Sequence, residues 1–260
     1  MPIKLTEFER GAPFDGDADA ALGALQSRIA RLQLGQIVHR QRAIILFEGW
    51  TGSNKKDALK KLVAALDPTR AHVVHVAPGD EADDDRHWLA PLWSHLPSAG
   101  EIIIIYRSWY RRMVEQRVLG RLDDKRWARV CDEINEFEAQ QRDHGTMFVK
   151  LFFHVTAERQ AANLQSWMED PWLRHLKELQ PLVGMGQRDH AVEVLEDFFR
   201  QTDTRWAPWR IIDDNDPVAG SIAALAAIAD QFEKMVPAEP PSVGETIVHF
   251  RSQRPEQNRA

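Results

Sequence analysis

Five short stretches of the chain are rich in apolar residues, and longer stretches with apolar residues at every third or fourth position separate them. A short apolar run is typical of a strand buried on both faces, whereas the wider spacing is typical of a helix with one inward face. The alternation predicts an α/β fold, in which a parallel sheet is flanked by helices. The predicted strands are residues 43–47, 71–77, 101–106, 146–155 and 209–212.

The stretches between the strands predict helices on both faces of the sheet. We expect a leader over residues 1–17, one domain over 18–236 and a flexible tail over 237–260. Ligands of parallel sheets bind at the carboxyl ends of the strands, so chemistry is expected in the loops that follow the strands. The predicted helices are residues 18–34, 55–66, 83–96, 111–119, 123–144, 156–168, 188–201 and 218–235.

Charge and composition exclude several classes of protein. The chain has 260 residues, 43% of them hydrophobic, which suffices for one large domain with a full core. Its formal net charge of -6 argues against a protein that coats nucleic acid, although a local basic groove can still bind a polyanion. No apolar run approaches the roughly 20 residues of a membrane-spanning helix. Cys131 is the single cysteine, so the chain forms no internal disulfide and a reducing compartment is expected. From charge, hydropathy and cysteine content together, we expect a cytoplasmic protein with neither nucleic-acid nor membrane partners.

The sequence after the first predicted strand has the composition of a phosphate-binding loop. Residues 47–56 read Phe-Glu-Gly-Trp-Thr-Gly-Ser-Asn-Lys-Lys and lead into a predicted helix. Main-chain N–H groups at the start of a helix attract anions, and a lysine there adds a point charge. The spacing from Gly49 to Lys55 is that of G-x-x-x-x-G-K-[ST], but Asn54 replaces the second glycine and Lys56 the Ser/Thr. Two interpretations stay open: an anion-binding loop, or an ordinary strand-to-helix turn with two solvated lysines.

Arginines cluster after the third predicted strand. Guanidinium groups grip phosphate oxygens in a forked geometry, so a basic rim beside a phosphate loop favours anion binding. In the alternative interpretation these arginines lie on an exposed helix face and pair with Glu115 and Asp123. Trp50 and Trp109 are candidates either for stacking on a base or for packing. The clustered arginines are Arg107, Arg111, Arg112 and Arg117.

Together these residues resemble the polyphosphate kinase 2 family. The resemblance runs from about residue 18 to 235, and Arg-Ser-Trp-Tyr after an apolar strand is its most specific motif. Residues 47–50 and 133–138 are most similar to the catalytic half of polyphosphate:AMP phosphotransferases. The stretches that carry the resemblance are residues 49–55, 96–100, 107–110, 117–118, 133–138, 144–145, 149–150 and 207–209.

The resemblance implies a fold, an activity and a set of site residues. Members of the family move a terminal phosphoryl group between inorganic polyphosphate and a nucleotide such as AMP or ADP, with Mg²⁺, on a P-loop-kinase-like core with a helical lid. It further implies polyphosphate and a nucleoside phosphate as partners, and a homo-oligomer. The expected catalytic residues are Lys55, Arg107 and Arg112. The expected phosphate- or nucleotide-binding residues are Gly49, Thr51, Asn54, Lys55, Lys56, Arg107, Arg111, Arg117 and Arg188.

Two aspartates of the family pattern are replaced in this chain, by Thr51 in the loop and by Tyr106 before Arg-Ser-Trp-Tyr. In the family these aspartates serve catalysis and Mg²⁺, so we assign no metal ligand from the sequence. Two hypotheses follow. The chain is either a phosphotransferase of the polyphosphate kinase 2 type, or a catalytically impaired relative that binds polyphosphate or nucleotide or acts as a partner subunit.

A carboxylate from elsewhere in the chain would favour the first hypothesis. The candidates are Glu48, Asp57 and Asp80. The deciding observation is whether one of them reaches the space between Lys55 and Arg107.

Overall fold

The computed structural model describes residues 2–75, 87–175 and 185–242. Its centre is a sheet of five parallel strands, so the predicted α/β fold with a parallel sheet is confirmed. The strands are β1 (Arg42–Gly49), β2 (Ala71–His75), β3 (Ile102–Tyr106), β4 (Thr146–His154) and β5 (Trp209–Asp213). Their order across the sheet is β2-β3-β1-β4-β5. The central β1 is buried along nearly its whole length, which explains its continuous apolar sequence.

Helices cover both faces of the sheet and bury two separate apolar clusters. One cluster lies between the sheet and α4, α5 and α7, and the other between the sheet and α1, α2 and α8. Alternate side chains of each strand enter opposite clusters, because successive residues of a strand point to opposite faces. The helices are α1 (Ala18–Val38), α2 (Lys55–Val63), α3 (Ala90–Trp93), α4 (Trp109–Val118), α5 (Asp124–Asp143), α6 (Ala157–Glu169), α7 (Arg188–Thr202) and α8 (Pro217–Met235).

The two strands at the centre of the sheet send their connections to opposite faces. After β1 the chain enters α2 on one face, and after β3 it enters α4 on the other. Adjacent strands whose connections diverge in this way leave a crevice at their carboxyl ends, where ligands of α/β proteins bind. The pairing of Phe47 with Tyr106 brings the two predicted binding loops to this crevice.

Several helix boundaries differ from the prediction. The second helix ends at Val63 rather than at Leu66, where the amide of Leu66 donates to the carbonyl of Val63 in a tighter turn. The helix predicted over 83–96 is a single turn from Ala90 to Trp93 in its described part, and residues 83–86 lie outside the described ranges. The arginine-bearing helix begins earlier than predicted, at Trp109, because the Ser108 side chain caps it.

The segment expected to be a leader packs on the domain. Leu5 is buried in the cluster of α4, α5 and α7, and the amide of Gly11 donates to Asp213 at 2.8 Å. The buried leucine has no periodic pattern around it, so the sequence did not indicate this contact. Residues 243–260 of the expected tail lie outside the described ranges. Within the described part of the chain, no helix combines the length and the apolar character needed to cross a membrane.

Candidate functional site

The loop between β1 and α2 folds tightly against β4 and α6. Gly49 and Gly52 have φ angles of 141° and 102°, which residues other than glycine rarely adopt. A Cβ at Gly49 would collide with the carbonyl of Phe153, and one at Gly52 would lie 2.9 Å from the Gln160 side chain. Both glycines are therefore required for the close approach of this loop to its neighbours.

Lys55, the first residue of α2, folds back into the loop and is 2% exposed. Its Nζ donates to the carbonyls of Trp50 at 2.6 Å and Gly49 at 3.2 Å, and to the Ser53 hydroxyl at 3.3 Å. Burial, together with the charges of Arg111 and Arg107, lowers the pKa of Lys55 to about 7, and Glu48 and Asp214 oppose that shift. An additional negative group beside Lys55 would raise its pKa and favour its charged form.

Of the candidates among the described residues, Glu48 lies at the crevice, where Lys55 and Arg111 act on it. It is 6% exposed and accepts a hydrogen bond from the amide of Ser108, which lies directly after Arg107. Burial raises the pKa of the Glu48 carboxyl, while the Ser108 hydrogen bonds, Arg111 and Lys55 lower it. Asp57, the second candidate, is exposed and pairs with Lys60 at 3.4 Å. Asp80, the third, lies outside the described residues.

The arginines expected to form a basic rim separate into two groups. Arg107 is buried at the end of β3 with a φ of 61°, and its guanidinium lies 5.5 Å from the Tyr106 ring centre. Arg111, one helical turn further along, donates to Glu115 at 2.6 Å, and Arg112 is half-buried on the same helix. The charges of Arg107 and Arg111 both act on Lys55. These two arginines therefore share the crevice with the loop between β1 and α2 (residues 50–54), the predicted phosphate loop.

Arg117 lies apart from this group. It donates to the carbonyl of Leu122 at 2.7 Å, pairs with Asp124 and lies over the Trp127 ring at 5.8 Å. The alternative interpretation, in which the arginines pair with Glu115 and Asp123, is confirmed for Glu115, which pairs with Arg111, whereas Arg117 pairs with Asp124. The expected partner Asp123 instead caps α5.

Arg188 reaches the loop from α7. Its guanidinium donates to Gln160 and to the carbonyl of Val155, and it lies 4.2 Å from the ring centre of Trp50. The Trp50 indole N–H donates to Nδ1 of His154 at 2.9 Å, so the ring is held from two sides. Trp109, by contrast, is buried in the core against aromatic neighbours, which identifies its role as packing.

A cavity of about 90 Å³ opens beside the loop, between α4, α6 and α7. Its polar wall comprises Glu48, Arg111, Glu115, Gln160 and Arg188. Its floor is aromatic and apolar, formed by Phe152, Leu195, Phe198, Phe199 and Trp209. The cavity thus combines charged groups at the crevice with an apolar base, as ligand pockets commonly do.

Comparison with known proteins assigns the family. A profile of the family described as Polyphosphate kinase 2 (PPK2) matches residues 15–240. The chain belongs to the polyphosphate kinase 2 family. Its relatives include a polyphosphate:AMP phosphotransferase of Pseudomonas aeruginosa, 28% identical over 88% of this chain and 46% of the relative. The chain thus spans about half the length of that relative. A GDP-polyphosphate phosphotransferase of Mycolicibacterium smegmatis is 28% identical over 87% of this chain and 82% of its own length.

A solved structure shares the family fold. The crystal structure of polyphosphate kinase 2 from Arthrobacter aurescens TC1 superimposes with a TM-score of 0.80 over 91% of this chain and 87% of that chain. The two sequences are 21% identical, so the likeness shows the fold alone.

Part of the family motifs lies in the core rather than at the crevice. Tyr110, from Arg-Ser-Trp-Tyr, donates its hydroxyl to Glu138, and the Lys150 Nζ lies 2.9 Å from the same carboxylate. Lys150 also donates to the carbonyl of Thr202 at 2.8 Å and lies 5.1 Å from the Trp209 ring centre. Arg-Ser-Trp-Tyr therefore has two roles: its first two residues face the crevice and its last two stabilise the core.

Asp214 is the residue at this site that the sequence reasoning missed. It follows β5, is fully buried, and accepts a hydrogen bond from the amide of Asn54 in the phosphate loop. The pair Asp213-Asp214 directly after an apolar strand was an available signal, because functional groups gather at the carboxyl ends of parallel strands.

The remaining loop residues have separate environments. Thr51 is buried, and its carbonyl accepts from Gln160 at 2.6 Å. Lys56 is exposed on the first turn of α2. The structure thus places Arg107, Arg111 and Glu48 where they act on Lys55, and leaves Lys56 at the surface.

Proposed function

We propose that this chain transfers a phosphoryl group between inorganic polyphosphate and a nucleoside phosphate. The observation that carries the proposal is the buried Lys55 at the start of α2, with Arg107 and Arg111 acting on it across one crevice. Three cationic groups around a helix N-terminus form a site for a chain of phosphates. The names of the two relatives, which specify AMP and GDP, support a nucleotide as the second substrate.

In this proposal the residues of the crevice act by charge and position. The phosphoryl group in transfer spreads negative charge over its oxygens, and catalysis consists mostly of stabilising that charge and aligning the reactants. Lys55 would turn from the loop carbonyls to the phosphate oxygens, and Arg107 and Arg111 would hold the neighbouring phosphates. Arg112, on the same helix, is proposed to assist. Arg188 would act through Trp50, by fixing the wall of the loop.

The residues present do not fit a Mg²⁺ site built from protein carboxylates. Mg²⁺ is usually held by one or two carboxylates together with substrate phosphates. Here Thr51 and Tyr106 supply neutral oxygens, and Glu48 is bonded to Ser108 and lies within the field of Lys55 and Arg111. Among the described residues no group of three or more His, Cys, Asp or Glu side chains is arranged to hold a metal. Dependence on Mg²⁺ therefore stays a prediction from the family.

A second function, polyanion binding without transfer, is favoured by the same donor set. Replacement of both aspartates removes carboxylates from the crevice without removing its cations, so anion attraction is retained more readily than catalysis. Assembly into a homo-oligomer, the absence of nucleic-acid partners and a cytoplasmic location stay predictions from the sequence.

A coupled assay separates the two functions. Phosphorylation of AMP, ADP and GDP by long-chain polyphosphate is measured with Mg²⁺, beside titrations of polyphosphate binding. Turnover that is lost in Lys55→Met and retained in Arg117→Met supports phosphotransfer. Binding without turnover supports the second function. Absence of both results rejects the two functions together.

Binding is also expected to weaken strongly with salt, because contacts between cationic side chains and a polyanion release bound counterions. A polyphosphate affinity that is equal at low and high salt would contradict a cationic crevice as the binding site.

A further inference from the structure

Asp214 occupies a constrained position beneath the phosphate loop. Its amide donates to the carbonyl of His154 at 2.8 Å, which ties its main chain to the end of β4. Its carboxylate Oδ2 accepts the amide N–H of Asn54 at 2.5 Å. Because Asn54 is the residue directly before α2, this single contact fixes the junction between loop and helix.

The second oxygen of this carboxylate lies against α8 and lacks a partner. A Cβ on Gly220 would collide with Oδ1 of Asp214, so the glycine makes room for the carboxylate. Oδ1 is buried and has no hydrogen-bond partner among the described residues. A buried carboxylate oxygen without a donor is costly, and a bound proton reduces that cost.

The charged groups that face Asp214 come from two elements. Lys55 and Lys61 face it from α2, and Asp213 precedes it at the end of β5. The α8 helix presents Gly220 and the Ser221 hydroxyl, which accepts a hydrogen bond from Lys61 at 2.8 Å, and β4 presents the main chain of His154. Burial raises the pKa of Asp214 to about 7, and the Asn54 hydrogen bond and Lys55 oppose that shift.

We propose that Asp214 is a positioning residue whose protonation state sets the affinity of the phosphate loop for anions. When ionised, it holds Asn54 and places a negative charge beneath the loop. When protonated, it leaves the cations of the loop unopposed. The inference rests on the proposed function, since it takes the bound anion to be polyphosphate or a nucleotide phosphate.

The consequence is that anion binding takes up protons at two groups. A phosphate beside the loop favours the charged form of Lys55 and the neutral form of Asp214. Affinity therefore falls as the pH rises through neutrality, with contributions from both groups. Asp214→Asn keeps an oxygen acceptor for Asn54 and removes one of the two titrations.

The first test uses sodium tripolyphosphate as the probe, at fixed ionic strength between pH 6 and 8.5. Affinity is measured for the wild type, for Asp214→Asn and for the control Asp230→Asn, whose exposed carboxylate on α8 pairs with Arg28 at 2.8 Å. We expect the wild type and the control to lose up to about tenfold more affinity per pH unit than Asp214→Asn, the effect of one linked proton. Equal pH dependence in the wild type and Asp214→Asn overturns the proposal.

The second test needs no ligand. A folded-state pKa above the unfolded value means that folded Asp214 retains its proton to higher pH, so its contribution to stability declines as the pH rises from 5.5 to about 7 and is constant above that. The melting temperature of Asp214→Asn, relative to the wild type, should therefore increase over that range, and that of Asp230→Asn should not. A constant difference shows that Asp214 does not titrate there and overturns the proposal.

The outcomes separate this inference from the proposed function. If tripolyphosphate binds the wild type and not Lys55→Met, but the pH dependence is unchanged in Asp214→Asn, the inference about Asp214 fails alone. If tripolyphosphate binds at no pH, the proposed function fails, and the proposed effect of Asp214 on anion affinity fails with it. The thermal measurement still decides whether the carboxyl titrates.

Discussion

Two lysines of this protein are buried almost completely, yet their surroundings differ. Lys150 in β4 is 0% exposed and Lys55 in the phosphate loop is 2% exposed. Burial lowers the pKa of both, because removal from water disfavours the charged form. The comparison shows how the partners of a buried lysine can differ within one fold.

Lys150 has a complete set of partners inside the fold. Glu138, also 0% exposed, lies 2.9 Å from its Nζ, and Tyr110 and the carbonyl of Thr202 complete the set. A buried ion pair of this kind contributes little net stability, but loss of one member leaves the other unpaired. This charge has no need of a ligand.

Lys55 contacts carbonyls and a hydroxyl, and within the described residues no carboxylate hydrogen-bonds to it. Two arginines act on it instead, and Glu48 and Asp214 act from a distance. A phosphate in the crevice would supply Lys55 with a negatively charged hydrogen-bond partner. The difference is that Lys150 is hydrogen-bonded to a carboxylate inside the fold, whereas Lys55 is hydrogen-bonded only to neutral oxygens among the described residues, so burial by itself does not distinguish the two.

The largest effect on stability should come from Lys150→Met. It leaves the Glu138 carboxylate buried and unpaired, at an expected cost of about 3–5 kcal/mol in the free energy of unfolding. Urea denaturation measures it, with Lys150→Met/Glu138→Gln as the control that removes the stranded charge and recovers part of the loss. A loss below about 1 kcal/mol would mean that the pair is not a structural unit.

Lys55→Met should change ligand affinity rather than stability, the opposite of what is expected for Lys150→Met. Its removal relieves a buried charge, so stability is maintained, but affinity for tripolyphosphate should fall by roughly 100-fold, or about 2.7 kcal/mol. Isothermal titration measures the affinity and denaturation the stability. Should the variant unfold as readily as Lys150→Met and bind as tightly as the wild type, the contrast between the two lysines would be wrong.

Arg111→Met and Arg117→Met compare the tripolyphosphate affinities of two variants on the same helix, one at the crevice and one away from it. Arg111 acts on Lys55 and lines the cavity, so its loss should weaken tripolyphosphate binding about tenfold, as expected for a charged hydrogen bond. Arg117 pairs with Asp124 away from the crevice, and its loss should change the affinity less than about twofold. Equal effects from the two variants would reject the separation of the arginines.

The smallest effect is the dependence of stability on pH. Since Lys55 has a folded pKa of about 7, below its unfolded value, the unfolded chain binds more protons above that pH and stability rises with pH. The wild type should gain about 1 kcal/mol relative to Lys55→Met between pH 7 and 8. The check is a pair of denaturation curves for each protein, and an unchanged difference would show that Lys55 keeps its ordinary pKa.

The sequence located the predicted phosphate loop and its lysine, but not the residues that surround them. Periodicity identified the strands, and the position of Lys55 after the first of them placed it at the crevice. Trp109 belongs to the same motif as Arg107, and Arg117 to the same arginine cluster, yet Arg117 lies on another surface and Trp109 in the core. Helical direction decides this: residues a few positions apart on α4 point to different sides of the helix.

What the sequence by itself determined is the order of strands and helices, the family resemblance and the loop that follows β1, because these depend on local patterns of apolar residues and short motifs. Tertiary structure decided which charges meet. Glu48 with Ser108, Asp214 with Asn54 and Lys150 with Glu138 are contacts across 60, 160 and 12 residues of chain. The physical reason is that burial and charge pairing depend on distance in space, which only the packing of the sheet and its helices sets.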